Sequence, residues 1–291
     1  RMTLIPPAQR KDIAKRLVTM DPRNSLHWFY YGNALLMLGE MDDALRAAQK
    51  AADLDPQGLS CGGLADALVG LGRIDEAEPY YKRMTERCGC DMCWCRYAQF
   101  LIEYREGRSA ESLEALKMAE SKRRLGRVRQ KDIDALRLQA LETSSPQEAE
   151  VLARQLLQVD PNDAQCWWLF ASVLRTLEKY PEAVEAAQKA VTLDPNASYQ
   201  PRLASCLAKA GRLNDAEKTH DEMLRLHPDR GRYWYWYAEF LLDYFPQRQD
   251  ETRLTLEKAE AARDKEWAVS PEEIRQLRER LDGKGSTNGN K

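Results

Sequence analysis

Four thiols fall within eight residues of this chain, Cys88-Gly89-Cys90-Asp91-Met92-Cys93-Trp94-Cys95. Thiols this close suit two kinds of chemistry. They can hold a soft cation such as zinc through Cys88, Cys90, Cys93 and Cys95, or the Cys90–Cys93 pair can act as a redox-active dithiol. The spacing does not choose between these and a third reading, no special chemistry. Zinc knuckles use two C-x2–4-C pairs set well apart. Cys93 and Cys95, two residues apart at the start of a predicted helix, point to different sides of it. The chain has seven cysteines in all, an odd number, and they do not form the framework of a small secreted disulfide domain. Cys61, Cys166 and Cys206 sit within helical patterns as small packing residues.

A second cluster is basic: Lys122, Arg123, Arg124, Arg127 and Arg129, within KRRLGRVR. It suits docking to an acidic partner or a phosphate surface, or it is a solvated loop. Catalytic constellations are missing. The three histidines, His27, His220 and His227, show no H-E-x-x-H spacing, and there is no G-x-S-x-G elbow or glycine-rich phosphate loop. The expectation is therefore a protein that is not an enzyme and needs no cofactor, with zinc at the thiols the one exception left open.

The bulk properties narrow the class. The chain has 291 residues, 43% hydrophobic and 31% charged, with a formal charge of -2. That supports a sizeable buried core, and the balanced charge speaks against general nucleic-acid binding. No apolar run approaches the roughly 20 residues of a membrane span. The opening residues RMTLIPP show no signal-type apolar stretch, although the chain does not begin with Met. Thiol usage and the lack of a span point to a cytoplasmic protein. The tail 283–291 (GKGSTNGNK) has nothing to bury and is expected to be disordered.

Internal repetition supplies the elements that must position these residues. AAQKA occurs at 47–51 and again at 186–190, and LDP follows each time. Tyr97-Ala98-Gln99-Phe100-Leu101 matches Tyr237-Ala238-Glu239-Phe240-Leu241. The halves are thus offset by about 139–141 residues. A shorter period lies within each half, since Ala44 and Ala77 are 33 apart, as are Ala183 and Ala216. Trp28, Tyr31, Gly32 and Leu35 share one helix face, Gly39 closes that helix, and Ala44, Ala48 and Ala51 give the next helix a narrow face. The thiol segment has no thiol counterpart in the second half, where His227, Asp229, Tyr233 and Tyr235 stand near the equivalent places.

On these residues the chain resembles the tetratricopeptide repeat family. The resemblance runs through seven units, at about 25–57, 58–90, 91–129, 130–163, 164–196, 197–229 and 231–268, with a lone helix at about 8–20 and a closing helix at about 271–281. It implies an all-α fold, a right-handed solenoid of stacked antiparallel helix pairs (a TPR superhelix) forming a single array over 1–282. It also implies a scaffold or adaptor that holds a protein or peptide segment, amphipathic or extended, in the concave groove lined by the first helix of each pair. The groove positions are Phe29, Tyr30, Asn33, Met37, Asp66, Arg96, Gln99, Trp168, Arg202, Arg232, Tyr235, Trp236 and Glu239. Aromatics interleaved with arginine there suit a bound amphipathic segment, or they pack between neighbouring first helices. The acidic-tail clamp of one subfamily is not matched: Phe29, Gly63 and Met92 stand at three of its positions, leaving too little positive charge for two carboxylates.

Overall fold

The computed structural model describes residues 5–55, 60–123, 128–195, 199–262 and 269–283. Arg124, Arg127, residues 284–291 of the tail and the Cys61 side chain lie outside the described residues. Among the described residues the chain forms sixteen α-helices and no strand. They fall into two compact units, residues 1–144 and 145–291. The first holds α1 (Pro7–Met20), α2 (Ser25–Met37), α3 (Met41–Leu54), α4 (Ser60–Gly70), α5 (Ile74–Arg87), α6 (Asp91–Tyr104), α7 (Ser109–Ser121) and α8 (Gln130–Ser144). The second holds α9 (Pro146–Val159), α10 (Ala164–Thr176), α11 (Tyr180–Leu193), α12 (Gln200–Lys209), α13 (Leu213–Leu226), α14 (Gly231–Tyr244), α15 (Gln249–Ala261) and α16 (Pro271–Leu281).

Within each unit the helices pack on their sequence neighbours, so each unit is a stack of antiparallel pairs. The closest pairs meet over alanine. Ala44, Ala47, Ala48 and Ala51 of α3 are buried, and so are Ala183, Ala186, Ala187 and Ala190 of α11. A methyl side chain lets the helix axes approach to the short end of the usual 8–10 Å range. Leu35, Leu64, Leu101, Leu116 and Ile133 fill the rest of the first unit's core; Leu174, Met223, Leu241 and Leu256 do so in the second.

Charged side chains fasten the pairs at their ends, in the same way in both units. The Arg108 guanidinium donates to Glu78 (2.9 Å) and Glu111 (2.9 Å), and the Tyr97 hydroxyl donates to Glu111 (2.5 Å). In the second unit Arg248 donates to Glu217 (2.6 Å) and Glu251 (2.7 Å), with Tyr237 beside them. A further pair is repeated with its charges exchanged. Lys11 of α1 donates to Glu40 (2.8 Å), whereas Lys179 donates to Glu150 of α9 (2.8 Å). By this contact α1 occupies the place in its unit that α9 occupies in the other.

The turn after α2 and the turn after α10 are closed alike. Gly39 has φ 73° and the Glu40 N–H returns to the Leu35 carbonyl (3.0 Å); Glu178 has φ 58° and the Lys179 N–H returns to Leu174 (2.9 Å). Left-handed backbone costs a side-chain-bearing residue about 1–2 kcal/mol, partly offset by the extra unfolded-chain freedom of glycine. Glu178→Gly is therefore expected to stabilise the protein by about 0.5–1 kcal/mol, read as a higher urea midpoint at unchanged m-value; an equal or lower midpoint would contradict this.

Candidate functional site

Four tryptophans stand at matched positions near the N-termini of α2, α6, α10 and α14. In three of them the indole N–H donates to the carbonyl of a proline six residues earlier: Trp28 to Pro22, Trp167 to Pro161 and Trp234 to Pro228, each at 2.8 Å. The bond ties the turn to the helix that follows it. At the fourth position Cys88 replaces the proline, and the Trp94 indole nitrogen is buried without a partner. The thiol segment thus occupies a turn that is built from proline and an indole hydrogen bond elsewhere in the chain.

Three of the four thiols converge in that turn. Cys88 is the C-cap of α5, Cys90 the N-cap of α6, and Cys93 lies in the first turn of α6. Their sulfur atoms all lie within 4.8 Å of one another, and Cys90 Sγ is 3.2 Å from Cys93 Sγ. Cys88 is exposed, Cys90 half-buried and Cys93 buried. Burial opposes ionisation of Cys90, but the neighbouring thiols and the backbone N–H groups of Cys93 and Met92 outweigh it and lower its pKa. Burial holds Cys93 in the protonated form. Cys95 does not join the cluster. It turns towards the opposite side of α6, where burial and the charges of Asp91 and Asp132 push its thiol up to about 11.

The first-helix face of the first unit is largely closed by its own side chains. Arg96 pairs with Asp66, which also accepts from the Tyr81 hydroxyl (2.6 Å). A Cβ at Gly62 would lie 2.7 Å from the Arg96 guanidinium, and one at Gly63 would lie 3.3 Å from the Phe29 ring, whose neighbour there is Asn33. Phe29 is 5.8 Å from the Tyr30 ring. Tyr30 and Met37 are exposed, and Gln99 donates to Glu103 (2.8 Å).

In the second unit the matched positions open into a pocket of about 410 Å³. Trp168 of α10, Arg202 of α12 and Trp236 and Glu239 of α14 all line it. The Arg202 guanidinium stacks over the Trp168 ring at 4.8 Å. His220 of α13 forms part of the wall, where Tyr81 stands in the first unit. Its ring lies 5.0 Å from Phe240 and 5.4 Å from Tyr237, and its Nδ1 is buried without a partner. Burial pushes its pKa down to about 4. Burial and Asp243 raise the pKa of Glu239. Lys209 and Asp243 also line the pocket, and Arg280 of α16 pairs with Asp243 (2.6 Å) and approaches Glu239 (3.8 Å). Arg232 and Tyr235 lie elsewhere on α14, against α16. Arg232 pairs with Glu273, and Tyr235 packs beside Ile274 and Leu277.

Sequence reasoning missed His220, Asp243 and Tyr244. His220 sits on α13, the second helix of its pair, outside the first-helix register that marks the groove positions. A residue-by-residue match of the two halves would have flagged it as the place where one half has Tyr and the other His. Of the basic segment, Lys122 and Arg123 are exposed, Arg123 donates to Gln130, and Arg129 pairs with Asp132 (2.8 Å). No helix among the described residues is long and apolar enough to cross a membrane.

Stacked antiparallel pairs, repeated tryptophan turns and alanine seams define an all-α helical-repeat solenoid. The chain belongs to the tetratricopeptide repeat family: models of that repeat match residues 11–58, 60–88 and 138–198. The solved tetratricopeptide repeat protein of Parabacteroides merdae ATCC 43184 is similar in fold, with a TM-score of 0.64 at 12% identity over 89% of this chain and 98% of that one. Human IFIT1, solved as a dimer with m7Gppp-AAAA, gives 0.63 at 16% identity over 95% of this chain and 67% of that one. The type IV pilus biogenesis factor PilW gives 0.59 at 14% identity, over 70% and 94%. No curated protein matches the sequence.

Two measurements test this description of the site. A His220 that stays neutral in the folded chain, against an ordinary value near 6.5 once unfolded, lets only the unfolded state take up a proton on acidification. Its contribution is complete above pH 6.5 and is lost as pH falls towards 4. Denaturant unfolding should show the wild type losing about 3 kcal/mol more than His220→Gln across that window; parallel pH curves would refute a buried neutral imidazole. In the turns, Trp→Phe at 28, 167 or 234 should cost about 1 kcal/mol more than at 94, because only there does it strand a proline carbonyl. Equal costs at all four positions would remove the distinction.

Proposed function

We propose that this protein is a non-catalytic scaffold that holds a protein segment on the first-helix face of its second unit, with the Trp168–Trp236 pocket as the anchor. The observation that carries the reading is the contrast between matched positions. Where the first unit places Tyr81, Asp66 and Arg96 in mutual hydrogen bonds, the second has His220, Ser205 and Trp236 around open space. An unfilled aromatic recess with an unpaired ring nitrogen is costly unless something occupies it. Its volume of about 410 Å³ is ample for a bulky side chain, and such recesses accept the dominant anchor residues of interfaces. Because Arg280 already engages Asp243 (2.6 Å) and Glu239 (3.8 Å), the recess favours a segment chosen by its apolar or aromatic anchor rather than by its charge.

The test is selection of linear peptides from a displayed library on the full chain, followed by calorimetry of the winners. Ser205 is exposed and lines the pocket, so Ser205→Trp should plug it without disturbing the core. Selected peptides are expected to share an aromatic or large apolar residue. Both Ser205→Trp and Trp236→Ala should weaken them by more than about tenfold, a loss of roughly 1.4 kcal/mol, while Phe29→Ala/Tyr30→Ala in the first unit should not. Peptides that bind the plugged variant as well as the wild type would refute the assignment.

A further inference from the structure

The thiol turn lies in the other unit from the pocket and takes no part in that reading. Its three sulfur atoms converge from three different backbone positions: the last cap of α5, the first cap of α6 and the first turn of α6. A disulfide would use only two of them. A cation bonded to sulfur at about 2.3 Å holds its ligands roughly 3.8–4.0 Å apart. Separations within 4.8 Å therefore need only small side-chain rotations to close on one ion. The departure from the other turns points the same way. Three turns of this type are tied by an indole bonded to a proline carbonyl, and this one has lost that bond and gained three thiols. A metal joining Cys88 to Cys90 and Cys93 would restore the missing tie between the turn and α6.

We propose that Cys88, Cys90 and Cys93 bind one thiophilic d10 cation, zinc(II) or copper(I), which clamps the α5–α6 turn. Such ions carry no geometric preference of their own and favour thiolate over oxygen donors. Asp91, next to Cys90 in the chain, is buried and already accepts the N–H groups of Met92 (2.9 Å) and Val128 (3.3 Å), so it is not a fourth ligand. Copper(I) is satisfied by three sulfurs. Zinc(II) would take solvent as its fourth ligand, beside the exposed Cys88. Binding displaces the thiol protons, with no change of oxidation state in sulfur or metal.

The test uses the reduced full chain with zinc(II) alone and copper(I) alone, each titrated against a chromophoric chelator and weighed by native mass spectrometry. One ion per chain is expected. The bound ion should protect Cys88, Cys90 and Cys93 of the wild type from alkylation, which needs no variant to fold. Cys88→Ser, Cys90→Ser and Cys93→Ser, checked for unchanged helicity, should each weaken binding by more than roughly 100-fold, and Cys95→Ser should leave it unchanged. Tighter copper(I) binding would assign the three-coordinate form and tighter zinc(II) binding the solvent-capped one, both supporting the site. No stoichiometric ion, equal loss in Cys95→Ser, or a Cys90–Cys93 disulfide formed with oxidised glutathione at the same rate with and without metal would overturn it.

Discussion

No helix of this protein can bury its apolar face alone; each depends on contact with the helices beside it. That contact is made over alanine in α3 and α11, where the approach is too close for a larger side chain. The rest follows from this constraint. Bulky residues are driven off the seam, either into the rows of leucine between pairs or out onto the first-helix face. Polar fastening joins neighbouring helices at the ends of the pairs, through Glu78–Arg108–Glu111 and Glu217–Arg248–Glu251, and in the first unit also on the first-helix face, through Asp66, Tyr81 and Arg96. A face built this way carries aromatics that no partner within the seam has taken up.

The two units solve the same packing problem with different residues, and the differences lie away from the seams. Alanine, the end networks and the tryptophan positions recur. What changes is the filling of the first-helix face and the chemistry of one turn. In the first unit a tyrosine, an aspartate and an arginine satisfy one another over two glycines that admit the arginine and a phenylalanine. In the second a histidine, a serine and a tryptophan leave space. The pocket is the position where a polar network was exchanged for aromatic walls, with the surrounding scaffold kept.

The helices and their seams were legible in the sequence because they rest on local rules: 3.6-residue periodicity, small residues at fixed intervals and stop signals after each helix. The family resemblance followed from the same residues. The pocket was only half legible. Trp168, Arg202, Trp236 and Glu239 could be placed on a helix face by counting, but counting does not say whether a neighbour covers that face. Arg232 and Tyr235 show the difference, since α16 lies over them and nothing in their own helix records it. His220 was visible only as a histidine without ligand spacing, since nothing in its own helix records that it walls a recess. The thiols were legible as chemistry, but their geometry was not. Spacing on the helix already set Cys95 apart from Cys93, but whether Cys88 joins Cys90 and Cys93 depends on how the chain turns at Gly89 (φ 59°), a choice spacing does not encode.

The exchanged ion pair bears on how such a chain finds its own fold. Two near-copies of one architecture on a single polypeptide invite mispairing, with a segment of one half docking where its twin belongs. If α1 settled into the place of α9, Lys11 would meet Lys179; if α9 took the place of α1, Glu150 would meet Glu40. Each correct contact brings opposite charges together at 2.8 Å, and each wrong one sets like charges against each other. A partly exposed pair contributes little to stability, about 0.2–1 kcal/mol. Its sign reversal instead disfavours the exchanged placement of these two helices, adding to the differences in their buried faces.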